Sequence, residues 1–261
     1  MLNVSIVLYQ PDVAQVERLC EELLRARCVR KVFLIDNSPC GLDNWPMASS
    51  KIDYRWQNGN NLGYGRAHNI AIRESVYWKT AFHLVINADV WIKADDLDTL
   101  HDFMVGQPQV GSLMPKVVYP DGRLQYLCKL LPTPWNVFCR RFLPERWIAK
   151  SNARYELRQT GYDRLMNVPY LSGCFMLLRT EAVLKARLFD GKETITVVNQ
   201  AKPEALSVVD TFGAMYPEDI DLTRTIHRDY LTLYYPDVTI VHDHAKASYR
   251  NWHMTKVHIV N

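Results

Sequence analysis

Apolar runs alternate with stretches of helical spacing through the first half of the chain. Val4–Tyr9 reads as a buried strand, followed by Val13–Arg27, whose leucines recur at helical spacing behind the start signal Pro11-Asp12. Val32–Ile35, Ile52–Gln57 and Phe82–Ile86 are predicted as further strands, with helices over Gly63–Tyr77 and Asp95–Val105. Such alternation predicts an α/β fold, a mostly parallel sheet with helices on both faces. Ligands in these sheets bind beyond the carboxyl ends of the strands. The polar residues Asp36, Asn60-Asn61 and Asn87-Ala88-Asp89 fall at those ends. In the second half, Gly111–Tyr119, Tyr170–Leu178 and Val238–Val241 read as strands. Leu127–Lys150 mixes Trp135, Phe138, Phe142 and Trp147 with several lysines and arginines. Gly191–Met215 is polar and irregular, with scattered β-branched residues, and reads as a hairpin or a lid-like loop.

The composition narrows the class without naming the chemistry. A chain of 261 residues suits one large α/β domain. The mean hydropathy is −0.19, and no apolar run approaches the roughly 20 residues of a membrane helix. The first residues lack a basic lead and read as a strand, so a cytoplasmic location is expected. Six cysteines without a C-x-x-C pair point to reduced, mostly buried thiols. A net charge of +3 is too small to argue for nucleic acid, but it permits a local basic patch toward phosphates or anionic lipid.

The densest chemistry lies in Tyr216-Pro217-Glu218-Asp219-Ile220-Asp221-Leu222, three carboxylates within four residues of an apolar frame. On a helix start Glu218 and Asp221 share a face and Asp219 points elsewhere. Crowded carboxylates tend toward raised pKa values, as a general base needs. An acidic first turn that suits the helix dipole is the ordinary alternative. Asp36 ends a strand in Asp36-Asn37-Ser38-Pro39, which fits either a ligand acceptor or a tight turn. Asn58 to Asn69 opens a helix with glycines and amides, and Arg66 adds a fixed charge there. This fits an anion, or a ligand-free helix entry. Asp89, at the lip of the sheet, suits a hard divalent cation shared with phosphates, or a turn cap. Asp95-Asp96 read as the cap of the following helix. His242-Asp243-His244 points two rings to one face of a strand, which permits metal binding, although such a pair without a third partner is more often structural.

In order, N-x-N-N-L-G-Y-G-R-A-H-N, L-V-I-N-A-D, L-S-G-C-F-M-L-L-R, E-D-I-D-L and H-D-H-A-K-A-S resemble glycosyltransferase family 2 with its GT-A fold. The likeness is nearest to bacterial rhamnosyltransferase-like members that build O-antigen and related polysaccharides, and it spans almost the whole chain. It implies a nucleotide-sugar-binding half over 1–110 and an acceptor-binding, catalytic half over 111–261. It also implies that Tyr9, Asp36, Asn61, Gly63, Arg66 and Asn87 surround the nucleotide sugar. By the same resemblance Asp89 binds the metal, Mg²⁺ or Mn²⁺, with His242 or His244 completing the site. Asp219 would be the catalytic base, supported by Glu218 and Asp221. The implied activity is inverting transfer of a sugar, rhamnose from dTDP-rhamnose as the first choice, onto a glycan or lipid-linked glycan. The basic-aromatic stretch would then lie near the acceptor, against an anionic inner membrane face. The stretch Gly191–Met215 departs from the family pattern, in which a Phe-Asp such as Phe189-Asp190 runs through a short aromatic stretch to the acidic motif. A sugar-phosphate nucleotidyltransferase would use a similar sheet, but Leu8-Tyr9-Gln10-Pro11 lacks its glycine-rich signature. A non-catalytic sugar-nucleotide-binding module would not need the acidic set at Asp89 and Glu218-Asp219.

Overall fold

The computed structural model describes residues 1–42, 45, 47–132, 143–186 and 218–243. His244, Phe189-Asp190, the whole of 191–215, most of the aromatic and arginine positions in Leu127–Lys150, and the side chain of Glu218 lie outside what is described.

The first half follows the sequence pattern closely. Strand β1 (Leu2–Leu8) leads into α1 (Val13–Arg25), then β2 (Val29–Asp36), β3 (Ile52–Trp56), α2 (Tyr64–Tyr77), β4 (Phe82–Ile86), the short β5 (Val90–Trp91) and α3 (Ala94–Gly106). Asp12 caps α1 by accepting from the Gln15 amide at 3.2 Å. Asp95 and Asp96 do not cap α3 as expected. Lys93 holds the N-cap position, and Glu22 of α1 accepts from the Ala94 amide at 3.1 Å. The two aspartates lie in the first turn, where negative charge suits the helix dipole.

The second half adds β6 (Val110–Val118), β7 (Cys128–Lys129), α4 (Glu145–Tyr155), β8 (Met166–Asn167), β9 (Tyr170–Leu171), β10 (Phe175–Arg179), α5 (Thr180–Lys185), α6 (Glu218–Ile226) and β11 (Leu231–His242). The main sheet runs β3-β2-β1-β4-β10-β6-β11-β5, with β8 also paired to β11. β1 to β4, β6 and β11 share one direction, whereas β10 lies antiparallel between β4 and β6. The expected single strand Tyr170–Leu178 is broken. Tyr170–Leu171 pairs with β7 in a separate two-stranded sheet, and only Phe175 onward joins the main sheet. β11 starts seven residues earlier than Val238, because its register shifts between Tyr235 and Thr239 and lets the chain pass Pro236 without ending the strand.

β1 is buried on both faces, and the faces differ. Leu2, Val4, Ile6 and Leu8 pack with Val16, Leu19 and Leu23 of α1 in the main core. Asn3 and Ser5 turn instead into a buried polar seam under α2. Ser5 Oγ lies 2.7 Å from His68 Nδ1 and 2.8 Å from His83 Nε2, and His83 Nδ1 lies 2.7 Å from Ser75 Oγ. Asn3 Nδ2 donates to Ser75 Oγ at 3.0 Å and Thr80 Oγ1 at 3.3 Å. Buried polar groups must find such partners, because leaving them unsatisfied costs about 1–3 kcal/mol each. The seam therefore sets α2 in register over β1 and β4.

Both histidines are fully buried and held neutral. Burial lowers the pKa of His68, with His83 adding to the shift, and burial brings His83 down to about 3. In the unfolded chain both would protonate below about pH 6.5. Their contribution to stability is thus present above pH 6.5 and is lost as the pH falls toward the folded values. Between pH 7 and pH 5 the urea unfolding free energy should drop by roughly 2 kcal/mol for His83, with a further drop from His68, and Ser5→Ala should not restore it. A free energy flat to pH 5 would show that the seam carries charge in the folded state.

Candidate active site

The break between β9 and β10 is where the site is tied together. The Gly173 amide donates to Asp219 Oδ2 at 3.1 Å, and the Gly173 carbonyl accepts from the Tyr64 hydroxyl at 2.5 Å. One residue on, the Cys174 carbonyl accepts from the Asn87 amide at 3.0 Å. Three distant segments, the start of α2, the lip of β4 and the start of α6, therefore meet on two adjacent residues. Asp219 is held further by the Tyr170 hydroxyl, which donates to Oδ2 at 3.2 Å, and by the Ile220 amide, which donates to Oδ1 at 2.8 Å. Burial, then the Asp219 charge, raises the Tyr170 pKa, so this hydroxyl stays a donor. A carboxylate with three donors has a fixed orientation, and the single donor on Oδ1 leaves that oxygen acceptor capacity for a substrate hydroxyl.

β11 delivers His242 to the same lip. Its antiparallel pairing with β5 sets His242 against Val90, and the Asp243 amide donates to the Asp89 carbonyl at 2.9 Å. His242 Nε2 then lies 3.3 Å from Asp89 Oδ1. Burial disfavours the charged ring, yet the Asp89 carboxylate and the Cys174 sulfur outweigh it and raise the His242 pKa. Asp89 Oδ1 is buried, and its contact with the His242 ring is an ion pair that lacks hydrogen-bond geometry. A carboxylate oxygen left in that state, facing an imidazole nitrogen, fits a shared divalent cation. Among the described residues no group of three or more His, Cys, Asp or Glu side chains forms a metal cage. Any further ligands would thus come from substrate, water or residues outside the described ones.

The nucleotide-side residues are spread over the neighbouring loops. Asp36 is buried, with Oδ1 accepting from the Ser38 amide at 2.8 Å and Oδ2 from the Tyr54 hydroxyl at 2.6 Å. Burial together with the Asp36 bond pushes Tyr54 up to about 12. Asp36 thus makes the turn its sequence context suggested, and any ligand contact would use its remaining lone pairs. Asn37 Nδ2 donates to the Gly63 carbonyl at 3.1 Å, which joins this turn to the glycine-rich entry of α2. Asn61 Oδ1 accepts from the Gly63 amide at 2.9 Å, and Gly63 takes φ +81°, a conformation that favours glycine. Arg66 is partly buried in the first turn of α2, and Tyr9 is exposed at the end of β1. The Asn87 side chain lies 3.2 Å from the Tyr64 hydroxyl. Asp221 faces the other way, paired with Arg224 on the exposed side of α6.

Tyr64, Tyr170 and Gly173 were quoted within motifs or strands, and nothing in their spacing showed that they meet Asp219 and Asn87. The contacts span 109 residues between Tyr64 and Gly173, and 49 between Tyr170 and Asp219. A glycine inside the apolar run Tyr170–Leu178 is a sequence signal that could have marked the break.

No protein-family model and no curated protein matches this chain. Solved structures do. The chain is similar to a mannosyltransferase from Pyrobaculum calidifontis, PcManGT, solved with GDP-Man and Mn²⁺, at a TM-score of 0.55 and 15% identity, over 96% of this chain and 59% of that one. It is similar to residues 1–349 of S. aureus TarS at a TM-score of 0.53 and 14% identity, over 92% and 60% of the two chains. A longer TarS structure gives a TM-score of 0.56 and 14% identity over 99% of this chain and 39% of that one. The chain thus spans about three fifths or less of the proteins it resembles. At these identities the likeness establishes the fold, the α/β GT-A fold expected from the sequence.

Gly173 tests the tie directly. A Cβ there would sit 3.3 Å from Asp219 Cβ, 3.5 Å from its Oδ2 and 3.5 Å from the Tyr64 ring. Glycine-to-alanine changes at permissive backbone positions usually stabilise by about 0.4–1 kcal/mol, whereas overpacking costs about 1–3 kcal/mol. Crowding should win, and Gly173→Ala should lower the urea midpoint by an amount worth about 1 kcal/mol. A raised midpoint would mean that Asp219 is not clamped against this turn.

Proposed function

We propose that the chain is an inverting, divalent-metal-dependent glycosyltransferase that uses a nucleotide sugar. The observation that carries the reading is the Gly173–Cys174 turn, which anchors Asp219 on one residue and the Asn87–Asp89 lip on the next. A proton acceptor and a cation-binding carboxylate are thereby held in one rigid unit. Solved glycosyltransferases of this fold support the reading.

Asp89 and His242 would hold the cation, Mg²⁺ or Mn²⁺, which would offset the charge developing on the leaving diphosphate. The backbone amides at the start of α2 and Arg66 would face the phosphates, while the turn at Asp36 and Tyr9 would flank the nucleoside. Asp219 Oδ1 takes the proton of the acceptor hydroxyl as that oxygen attacks the anomeric carbon from the face opposite the diphosphate. The three donors on Asp219 hold it in place during this step and limit reorganisation. Glu218 precedes Asp219 at the start of α6, and Asp221 would act only indirectly, from its pair with Arg224. Rhamnose from dTDP-rhamnose is the donor implied by the family resemblance, and a glycan or lipid-linked glycan would be the acceptor. No helix among the described residues is long and apolar enough to cross a membrane. The basic-aromatic stretch 127–150 would make a peripheral contact with an anionic inner membrane face.

A panel of nucleotide sugars with Mn²⁺ or Mg²⁺, read by nucleoside diphosphate release and product mass, identifies the donor. Asp219→Asn should keep donor binding and lose about 10²-fold or more in transfer; near-wild-type turnover on a true acceptor would remove Asp219 as the base. Asp89→Ala should weaken nucleoside diphosphate binding more in Mn²⁺ than in EDTA, by calorimetry. Equal weakening under both conditions would reduce Asp89 to a fold residue.

A further inference from the structure

Gln125 is absent from every motif considered above, yet it is nearly fully buried and grips His242 at two points. Its Oε1 lies 2.9 Å from His242 Nδ1, and its Nε2 donates to the His242 carbonyl at 2.8 Å. The same Nε2 lies 3.4 Å from the Val118 carbonyl. Both of those oxygens only accept, so the end of the amide facing them is the NH₂ group. The opposite end is then the carbonyl oxygen, and it can meet Nδ1 only if that nitrogen carries the proton. Once the ring gives up one proton, this leaves the lone pair on Nε2, the nitrogen that looks toward Asp89.

The hairpin after β6 is built to hold this amide. Tyr119 and Arg123 bond across the turn, and Gly122 takes φ +83° at its tip. Val118 bridges Leu124, and the Gln125 amide donates to the Val117 carbonyl at 2.9 Å. The side chain thus joins a braced backbone to the end of β11, 117 residues further along the chain.

We infer that Gln125 is a positioning residue for the cation site, selecting the His242 tautomer whose Nε2 can ligate and fixing the ring toward Asp89. The inference rests on the metal reading of that pair. Partners of this kind, which bond the far nitrogen of a ligating histidine, typically change metal affinity by about 10–100-fold when removed.

Mn²⁺ alone is titrated into the full chain and free Mn²⁺ is followed by electron paramagnetic resonance, with no turnover required. Gln125→Met should weaken Mn²⁺ binding about tenfold or more, toward the value for His242→Ala. Gln125→Glu keeps an acceptor for Nδ1–H and loses only the donors to the two carbonyls, so it should restore affinity to within about threefold of wild type. Equal loss in the Met and Glu variants would show that the backbone grip matters rather than the tautomer, and would overturn the inference. So would wild-type affinity in Gln125→Met. If the Met variant does not fold, Gln125→Asn takes its place, because it is one methylene too short to reach the ring and should bind as weakly. A wild-type protein that holds no Mn²⁺ at millimolar concentration would overturn the metal reading itself, whereas tight wild-type binding insensitive to Gln125 overturns only the role of Gln125.

Discussion

Two adjacent residues, Gly173 and Cys174, hold the candidate site together. Their backbone groups bond the Asp219 carboxylate, the Tyr64 hydroxyl and the Asn87 amide. These bonds are possible because the chain leaves one sheet after Leu171 and enters another at Phe175. A continuous strand would have spent the Gly173 N–H and C=O on ladder bonds, whereas the Cys174 carbonyl bond to the Asn87 amide continues the β4–β10 register by one pair. The break therefore converts backbone that would have been structural into a socket. The close approach of Asp219 and Tyr64 leaves little room for a side chain at residue 173.

The antiparallel β10 has a second consequence. Wedged between β4 and β6, it welds the strands of the first half to those of the second. The carboxyl ends of β4 and β11 then lie around the same lip, so Asp89 from one half faces His242 from the other. The buried polar seam from Asn3 and Ser5 to His68 and His83 fixes α2 beneath this arrangement, and α2 carries Tyr64 at its start. A displacement of α2 would move the hydroxyl that holds Gly173. Stability of the seam and geometry of the site are thus coupled through one helix.

Much of the fold was legible because it is written in local pattern. Phe82–Ile86 is a strand to the residue, and α1 and α2 begin and end within two residues of their apolar periodicity. The strand order was not legible, since nothing local in Phe175–Arg179 says that it pairs with β4 rather than with its sequence neighbours. The break at Ser172–Cys174 was hidden because the flanking residues are apolar and β-compatible on both sides. Pro236 concealed the length of β11, as proline ordinarily ends a strand. In the site, Asp89, His242 and Asp219 stood out because carboxylates and histidines inside apolar frames are expensive unless used. Gln125, Tyr170 and Gly173 did not stand out, because a neutral amide, a phenol and a glycine gain their meaning only from contacts across the chain. Asp36 shows the opposite case, in which a turn sequence is used as a turn and its carboxylate is bonded within the protein.

The most direct test of the account is a crystal structure of the protein soaked with Mn²⁺ and a nucleoside diphosphate, with the metal located by its anomalous scattering. The account predicts a peak within bonding distance of Asp89 Oδ1 and His242 Nε2, with diphosphate oxygens on its open side and Asp219 still bonded to the Gly173 amide. A nucleotide bound elsewhere on the sheet, with the Asp89–His242 contact closed and no metal between them, would contradict it.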